Sequence, residues 1–395
     1  LDSPPKVAFR YNPALDGVRG IGICIVMLAH FSAGLSTWAG TRLFGLSLTI
    51  DWFFILSGYL ITALLLEEWS KSGAISMRNF YTRRGLRLLP ALYVFLAIFV
   101  LLALFTGWLP VSSKQAIGEA GAAAFYIYPV MVIIKGDQAF LLHLWTLSVE
   151  EWFYFLWPAF LLVVGLRPGV PRRLKLVVGV LGTIVVGGFL LRAIGSSDGL
   201  SRLVYTLRPD SLAWGALLAI FMRKLNDIRT PAIDRALSII GPLGVVGALY
   251  FTWFANYPRE PGASDTAFHD MAFRSWNYRL GILCAVLLIM HVVNKPEGRL
   301  GRSLSIRPLV YLGILSYALY LWHEPIFLTF NQIRFLNSNP AIPGHVDRSL
   351  AGMWAIGLLC AAIAFVIAIA SRKFVELPAL KQKKRFEVVK YAGQR

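Results

Sequence analysis

The chain has 395 residues, of which 57 % are hydrophobic and 15 % charged, and it carries a net charge of +18. Soluble domains hold roughly 25 % charged residues, so a water-soluble globular protein is excluded and a length-based count of two or three soluble domains does not apply. Nucleic acid is not implied by the charge, because the basic residues fall mostly in short connections between apolar runs, where they orient a membrane protein.

Apolar runs of about 18 to 23 residues, each long enough to cross a bilayer, predict ten spans. They lie at 19–38, 46–67, 88–108, 144–166, 176–196, 205–222, 235–254, 276–294, 309–330 and 349–371. The fold class is therefore an all-α integral membrane protein, with about ten transmembrane helices in one bundle. Both termini fall on one side. Connections on that side hold 26 Lys and Arg and the opposite ones hold eight, which makes the terminal side cytoplasmic. Residues 118–134 could also span, but that would put the later basic connections outside. They are expected as a re-entrant or interfacial piece on the outer face, buried by protein. The outer connections 255–275 and 331–348 are candidate lids. Cys24, Cys284 and Cys360 all fall within spans and read as small buried hydrophobes rather than disulfide partners. Neither a cleavable signal segment nor an appended soluble domain is expected. Residues 1–375 form the membrane domain and 376–395 a basic cytoplasmic tail suited to anionic lipid.

Ionisable residues interrupt these apolar runs, and each is a candidate functional group. In the first span, Arg19 and His30 have ten residues between them. The helical rise sets the histidine about 16 Å above the arginine, near mid-bilayer. Asp51 lies in the second span, either as a partner of His30 or as a reacting group. Before the third span the chain reads Phe80-Tyr-Thr-Arg83-Arg84-Gly-Leu-Arg87. Arg84 and Arg87, three apart, share one face at a helix N-terminus, a good phosphate site. Glu150 and Glu151 lie in the fourth span, with the aromatic run 152–157 as packing or a donor tunnel. Arg208 and Asp210 open the sixth, as a structural clamp or an acceptor contact. His323 sits near the outer end of the ninth, where it either contacts the acceptor or shapes the helix end. His143, before the fourth span, reads as interfacial. Mutual pairing inside a bundle is the cheapest way to hold such groups in a membrane.

A phosphate-type site inside and a histidine–carboxylate set further out fit an enzyme that takes an activated group from a cytosolic carrier. Acyl-CoA is such a carrier: its phosphates suit arginines, and its pantetheine arm is long and thin. A neutral histidine beside a carboxylate could deprotonate a hydroxyl for attack on the thioester. A proton-coupled transporter is the alternative class, but no repeated halves are visible in the sequence.

Several stretches, in order, carry a resemblance: PALDGVRG…MLAHF (13–31), DWFFILSGYLIT (51–62), FYTRRGLRLLPALY (80–93), HLWTLSVEEWFYFLWP (143–158), RPDSLAWGALLA (208–219), SYALYLWHEPIF (316–327) and FVELP (374–378). Together they resemble the membrane acyltransferase-3 family, whose members O-acylate sugars on envelope glycans, glycolipids and macrolides. The resemblance implies ten core helices and acyl-CoA, acetyl-CoA by default, as donor. The family's Arg-x10-His motif falls on Arg19 and His30, with the histidine catalytic. Its Arg-x-x-Arg pair falls on Arg84 and Arg87, at the donor. A functional carboxylate falls on Glu150. Trp152 stands where Gln is common, and Glu324 follows His323 where Trp is common, which bears on acceptor recognition. Some relatives carry a C-terminal SGNH-type esterase domain. Its expected absence here means that the chain finishes the transfer alone or hands the group to a partner.

The expected assignments are therefore His30, Asp51 and Glu150 as catalytic, with Asp51 or Glu150 orienting His30 and an acyl-enzyme relay left open. Arg19, Arg84 and Arg87 hold acyl-CoA, and Arg208, Asp210 and His323 hold a carbohydrate acceptor. No metal and no nucleic acid are expected. The acceptor is an envelope glycan or glycolipid, or a macrolide or other secondary metabolite. The setting is the bacterial inner membrane, crossed many times.

Overall fold

The computed structural model describes residues 11–39, 46–135, 139–164, 171–194, 203–204, 206–254, 268–336 and 350–383. The proposed lids lie largely outside the described residues, as do residues 384–395 of the basic tail. All regular structure among the described residues is helical. The helices are α1 (Pro13–Ala39), α2 (Leu46–Ser72), α3 (Met77–Phe105), α4 (Ser113–Ala124), α5 (Tyr128–Lys135), α6 (Leu144–Val163) and α7 (Pro171–Ile194). Then come α8 (Pro209–Asp227), α9 (Pro231–Phe254), α10 (Phe268–Asn294), α11 (Arg299–Leu304), α12 (Arg307–Leu336) and α13 (Leu350–Ser371). A π-helical turn, Arg372–Glu376, leads into α14 (Leu377–Lys383).

Local signals set the helix starts. Four helices begin on proline, at Pro13, Pro171, Pro209 and Pro231, where the missing N–H removes a donor that would be unpaired anyway. Ser76 caps α3 by accepting from the Asn79 N–H at 3.4 Å, and Ser112 caps α4 from Gln115 at 3.2 Å. The Ser76 cap starts α3 eleven residues before the predicted span at 88, so Arg84 and Arg87 lie inside a helix rather than at its N-terminus. The helix dipole, which acts only within the first turn, therefore does not assist them.

Among the described residues, seven helices are long and apolar enough to cross a membrane: α1, α2, α3, α7, α9, α10 and α13 with its extension. The remaining long ones, α6, α8 and α12, also fall on predicted spans. They carry Glu150 and Glu151, Asp210, and His323 and Glu324, which lower their hydropathy. Segment 118–134 is broken into α4 and α5. At 12 and 8 residues these rise only about 18 and 12 Å, short of a 30 Å hydrocarbon core. The break is at Tyr126, whose φ is 56°, and its carbonyl accepts from the Trp152 indole at 2.9 Å. Glu119 ties the broken segment together. It accepts from the Tyr128 hydroxyl at 2.9 Å and from the backbone N–H groups of Phe140 at 3.1 Å and Leu141 at 2.7 Å. The 375/376 boundary drawn from sequence falls inside the helical stretch from α13 to α14.

Two close helix pairs frame the interior: α1 against α12, and α2 against α8. Each is set by glycine. A Cβ on Gly20 would strike the Leu309 carbonyl, and one on Gly313 the Asp16 carbonyl, so α1 and α12 meet backbone to backbone. Gly58 and Gly215 do the same for α2 and α8, facing the Leu212 and Ile55 carbonyls. Small residues permit such approach in apolar surroundings. The first pair carries His30 and His323, and the second carries Asp51 and Ser211.

Candidate functional site

Among the described residues, three polar clusters gather the candidate groups inside the bundle. The first gathers imidazoles from α1, α12 and the turn before α6. The rings of His30 and His323 are 4.9 Å apart, edge to face, and those of His143 and His323 are 5.5 Å apart. His323 is fully buried. Its Nδ1 is 2.8 Å from the Tyr320 carbonyl, which can only accept, so Nδ1 carries the proton and Nε2 the lone pair. That Nε2 is buried and has no hydrogen-bond partner among the described residues. His30, by contrast, is only half-buried.

Pro325 lies inside α12 and has no N–H to give to the carbonyl four residues back, that of Leu321. His143 takes up this free carbonyl, with Nε2 at 3.3 Å. Its other nitrogen, Nδ1, is 2.9 Å from Glu324 Oε2. Both ring nitrogens of His143 thus lie near acceptors, although the Nδ1–Oε2 contact does not have hydrogen-bond geometry. Thr146 and Tyr320 close the cluster: one of their hydroxyls donates to the other across 2.6 Å, and both lie within hydrogen-bond reach of the His143 carbonyl, at 3.0 and 2.8 Å. Among the described residues, the donor atoms of His30, His323 and Glu324 lie within 4.8 Å of one another and could converge on a metal. Glu324 Oε2 also lies 2.9 Å from His143 Nδ1, so the carboxylate is shared between the two histidine contacts.

The second cluster centres on Asp51, 0 % exposed. Its Oδ1 accepts from Ser211 Oγ at 2.6 Å and its Oδ2 from Arg208 Nη1 at 2.7 Å, with the Tyr278 hydroxyl against both Asp51 and Arg208. Arg208 is held left-handed, at φ 43°, just before Pro209. An arginine in that conformation costs on the order of 1–3 kcal/mol, which the charge pair offsets.

The third cluster joins α3 to α6. Arg84 Nε is 3.2 Å from Glu151 Oε1, and its guanidinium lies 3.5 Å above the Tyr154 ring. Glu150 accepts from Ser57 Oγ at 2.7 Å and faces the charges of Arg84, Arg19 and Arg87. Arg87 is within electrostatic reach of Arg19, Arg84 and Glu376. Arg83 is drawn away to Glu68 at 2.8 Å. A cleft of about 420 Å³ opens here, lined by Tyr81, Arg84, Tyr126, Glu151, Trp152 and Tyr154.

The fold therefore brings His30 to His323, and Arg19, Arg84 and Arg87 to Glu150. It does not bring Asp51 or Glu150 to His30: Asp51 is engaged by Ser211, Arg208 and Tyr278, and Glu150 sits with the arginines. The carboxylate beside His30 is Glu324. His143, expected at the interface, is 4 % exposed and central to the first cluster. Asp210 is buried against Gly188 of α7. The sequence signals for the missed residues were modest: the Glu-Pro that follows His323, the His that opens HLWTLSVEE, and Glu376 in FVELP.

These features define a multi-pass helical membrane protein with an imidazole–carboxylate site joined along α1 to an arginine-rich site. Residues 12–372 match the acyltransferase-3 family, described as "Acyltransferase domain", and the chain belongs to that family. It is similar to the peptidoglycan O-acetyltransferase OatA of Listeria monocytogenes, 30 % identical over 94 % of this chain and 56 % of the relative. It is also similar to "Putative peptidoglycan O-acetyltransferase YrhL" of Bacillus subtilis, 28 % identical over 94 % of this chain and 55 % of the relative. A third is "Putative O-acetyltransferase SAS0844" of Staphylococcus aureus, 29 % identical over 94 % of this chain and 58 % of the relative. The chain spans about half the length of these curated relatives. No solved structure matches it.

Proposed function

We propose that this chain is a membrane O-acyltransferase that moves an acyl group, by preference acetyl, from cytosolic acyl-CoA to a sugar hydroxyl of an envelope glycan. The observation that carries this reading is the His323 Nε2 lone pair, buried, unpartnered and beside the half-buried His30. A His30 N–H directed at that nitrogen leaves the other His30 nitrogen as the base. It takes the proton of the acceptor hydroxyl as the oxygen attacks the thioester carbonyl. The C–S bond then breaks, and the proton passes from the imidazolium to the departing CoA thiolate. His323 positions His30, and Glu324, with His143 beside it, flanks the two rings.

The arginine cluster supports the donor half. Arg19, Arg84 and Arg87 offer charge-assisted bonds to the CoA phosphates. Arg19 and His30 share α1, so donor site and base are about 16 Å apart along one helix, a gap suited to the pantetheine arm. Arg208, with the buried Asp51 and Asp210 around it, is assigned to shaping the acceptor side. Ten crossings with both termini cytoplasmic, in the bacterial inner membrane, accord with the charge bias of the connections. The printed names of the relatives favour a peptidoglycan-type acceptor over a secondary metabolite.

The test is purified full chain with acetyl-CoA and soluble glycan fragments, reading CoA release and acetyl mass on the glycan. Loss of both with His30→Ala supports the proposal. Continued CoA release by that variant, or movement of a solute without any thioester cleavage, overturns it in favour of a transporter.

A further inference from the structure

A cavity of about 750 Å³ lies apart from all three clusters, between α7, α8 and α10. α7 packs along α8 but meets α10 at few positions, which leaves a lateral groove. Its wall along α8 is one helical face, from Trp214 through Phe221 to Lys224. Ten residues of helix rise about 15 Å, the depth of one leaflet of a 30 Å hydrocarbon core. Apart from the lysines the lining is apolar, and Gly179 of α7 leaves open space where a side chain would otherwise stand. Lys175 and Lys224 close the same end of the groove, which lies on the side that the sequence assigns to the cytoplasm. Both are exposed, and neither makes an ion pair or hydrogen bond among the described residues. Arg223, next to Lys224, is instead turned to the Leu66 carbonyl, to which it donates at 2.9 Å.

We infer that this groove is a binding site for an anionic glycerophospholipid of the leaflet on the lysine side. One acyl chain lies along Trp214 to Phe221, and the headgroup phosphate lies between Lys175 and Lys224. Length, apolar lining and a cationic end without an ion-pair partner among the described residues together select a lipid with a negative headgroup over a zwitterionic one. The site is independent of the transferase reading and stands or falls without it.

The test places full chain in bilayer discs containing equal phosphatidylglycerol and phosphatidylcholine with identical acyl chains. The lipids that stay bound on mild extraction are then counted by native mass spectrometry. Phosphatidylglycerol is expected to be retained in preference. Lys175→Gln with Lys224→Gln should lower that preference roughly thirtyfold, since each lysine near an anionic surface contributes about 1 kcal/mol. Lys114→Gln on α4 should leave it unchanged. Gly179→Leu, which fills open space, should lower retention of both lipids, and it decides the matter if the double variant fails to fold. Equal retention of the two lipids by the unmodified chain overturns the inference. So does a preference that survives the double substitution in a protein of unchanged Tm, or displacement by equimolar polyprenyl phosphate.

Discussion

The imidazole cluster and the Asp51 cluster are built by the same device and end in opposite states. Each lies at a helix pair closed by glycine, α1 on α12 and α2 on α8, and each is deeply buried. At Asp51 both carboxylate oxygens are engaged by Ser211, Arg208 and Tyr278. Around His323 one nitrogen is satisfied and the other retains a lone pair with no protein partner among the described residues. The saturated cluster holds its helices in place, whereas the open lone pair leaves His323 able to orient the His30 ring beside it, as the proposed reaction requires.

This contrast predicts separable losses. His30→Ala should lower acyl transfer by roughly 100- to 10,000-fold while leaving Tm in detergent near that of the parent. If Tm falls as far as activity, the two clusters are alike and the contrast fails. Asp51→Ala should do the reverse, because it strands the buried Arg208 charge, at a cost of about 3–5 kcal/mol. Thermal unfolding should show the drop, and a folded, inactive variant would move Asp51 into the chemistry. Glu324→Gln removes the charge that faces His143, and a bond to a charged group contributes about 1.5–3 kcal/mol. Turnover should fall about ten- to a hundredfold with KM for acetyl-CoA unchanged. A change confined to KM would transfer Glu324 to substrate binding. Arg84→Gln or Arg87→Gln should raise KM for acetyl-CoA about tenfold each through lost charge-assisted bonds and leave both buried clusters intact. An unaltered KM would remove the arginines from the donor site.

The helices were legible because a bilayer demands long apolar runs, and all ten predicted spans fall on long helices. Their ends were less legible: α3 starts at the Ser76 cap, in a stretch whose charge resembles a connection. His30 and His323 stood out as ionisable groups in apolar surroundings. Their partners did not, since which carboxylate meets which histidine depends on helix crossings between residues far apart in the chain. Asp51 and Glu150 were plausible by depth alone; the glycine contacts between α2 and α8 set Asp51 against Arg208, while the packing of α6 sets Glu150 against Ser57 and the arginines. His143 was missed because its acceptor is a carbonyl released by Pro325 on another helix, invisible from its own neighbourhood.

Pro325 gives stability engineering a trap. Replacing it with alanine would return an N–H to the Leu321 carbonyl and make α12 a more regular helix, the kind of change that stability screens reward. The restored bond would compete with His143 for that carbonyl and free the ring to turn away from Glu324. A Pro325→Ala variant picked for its stability would therefore be expected to hold its fold better and turn over more slowly than the parent.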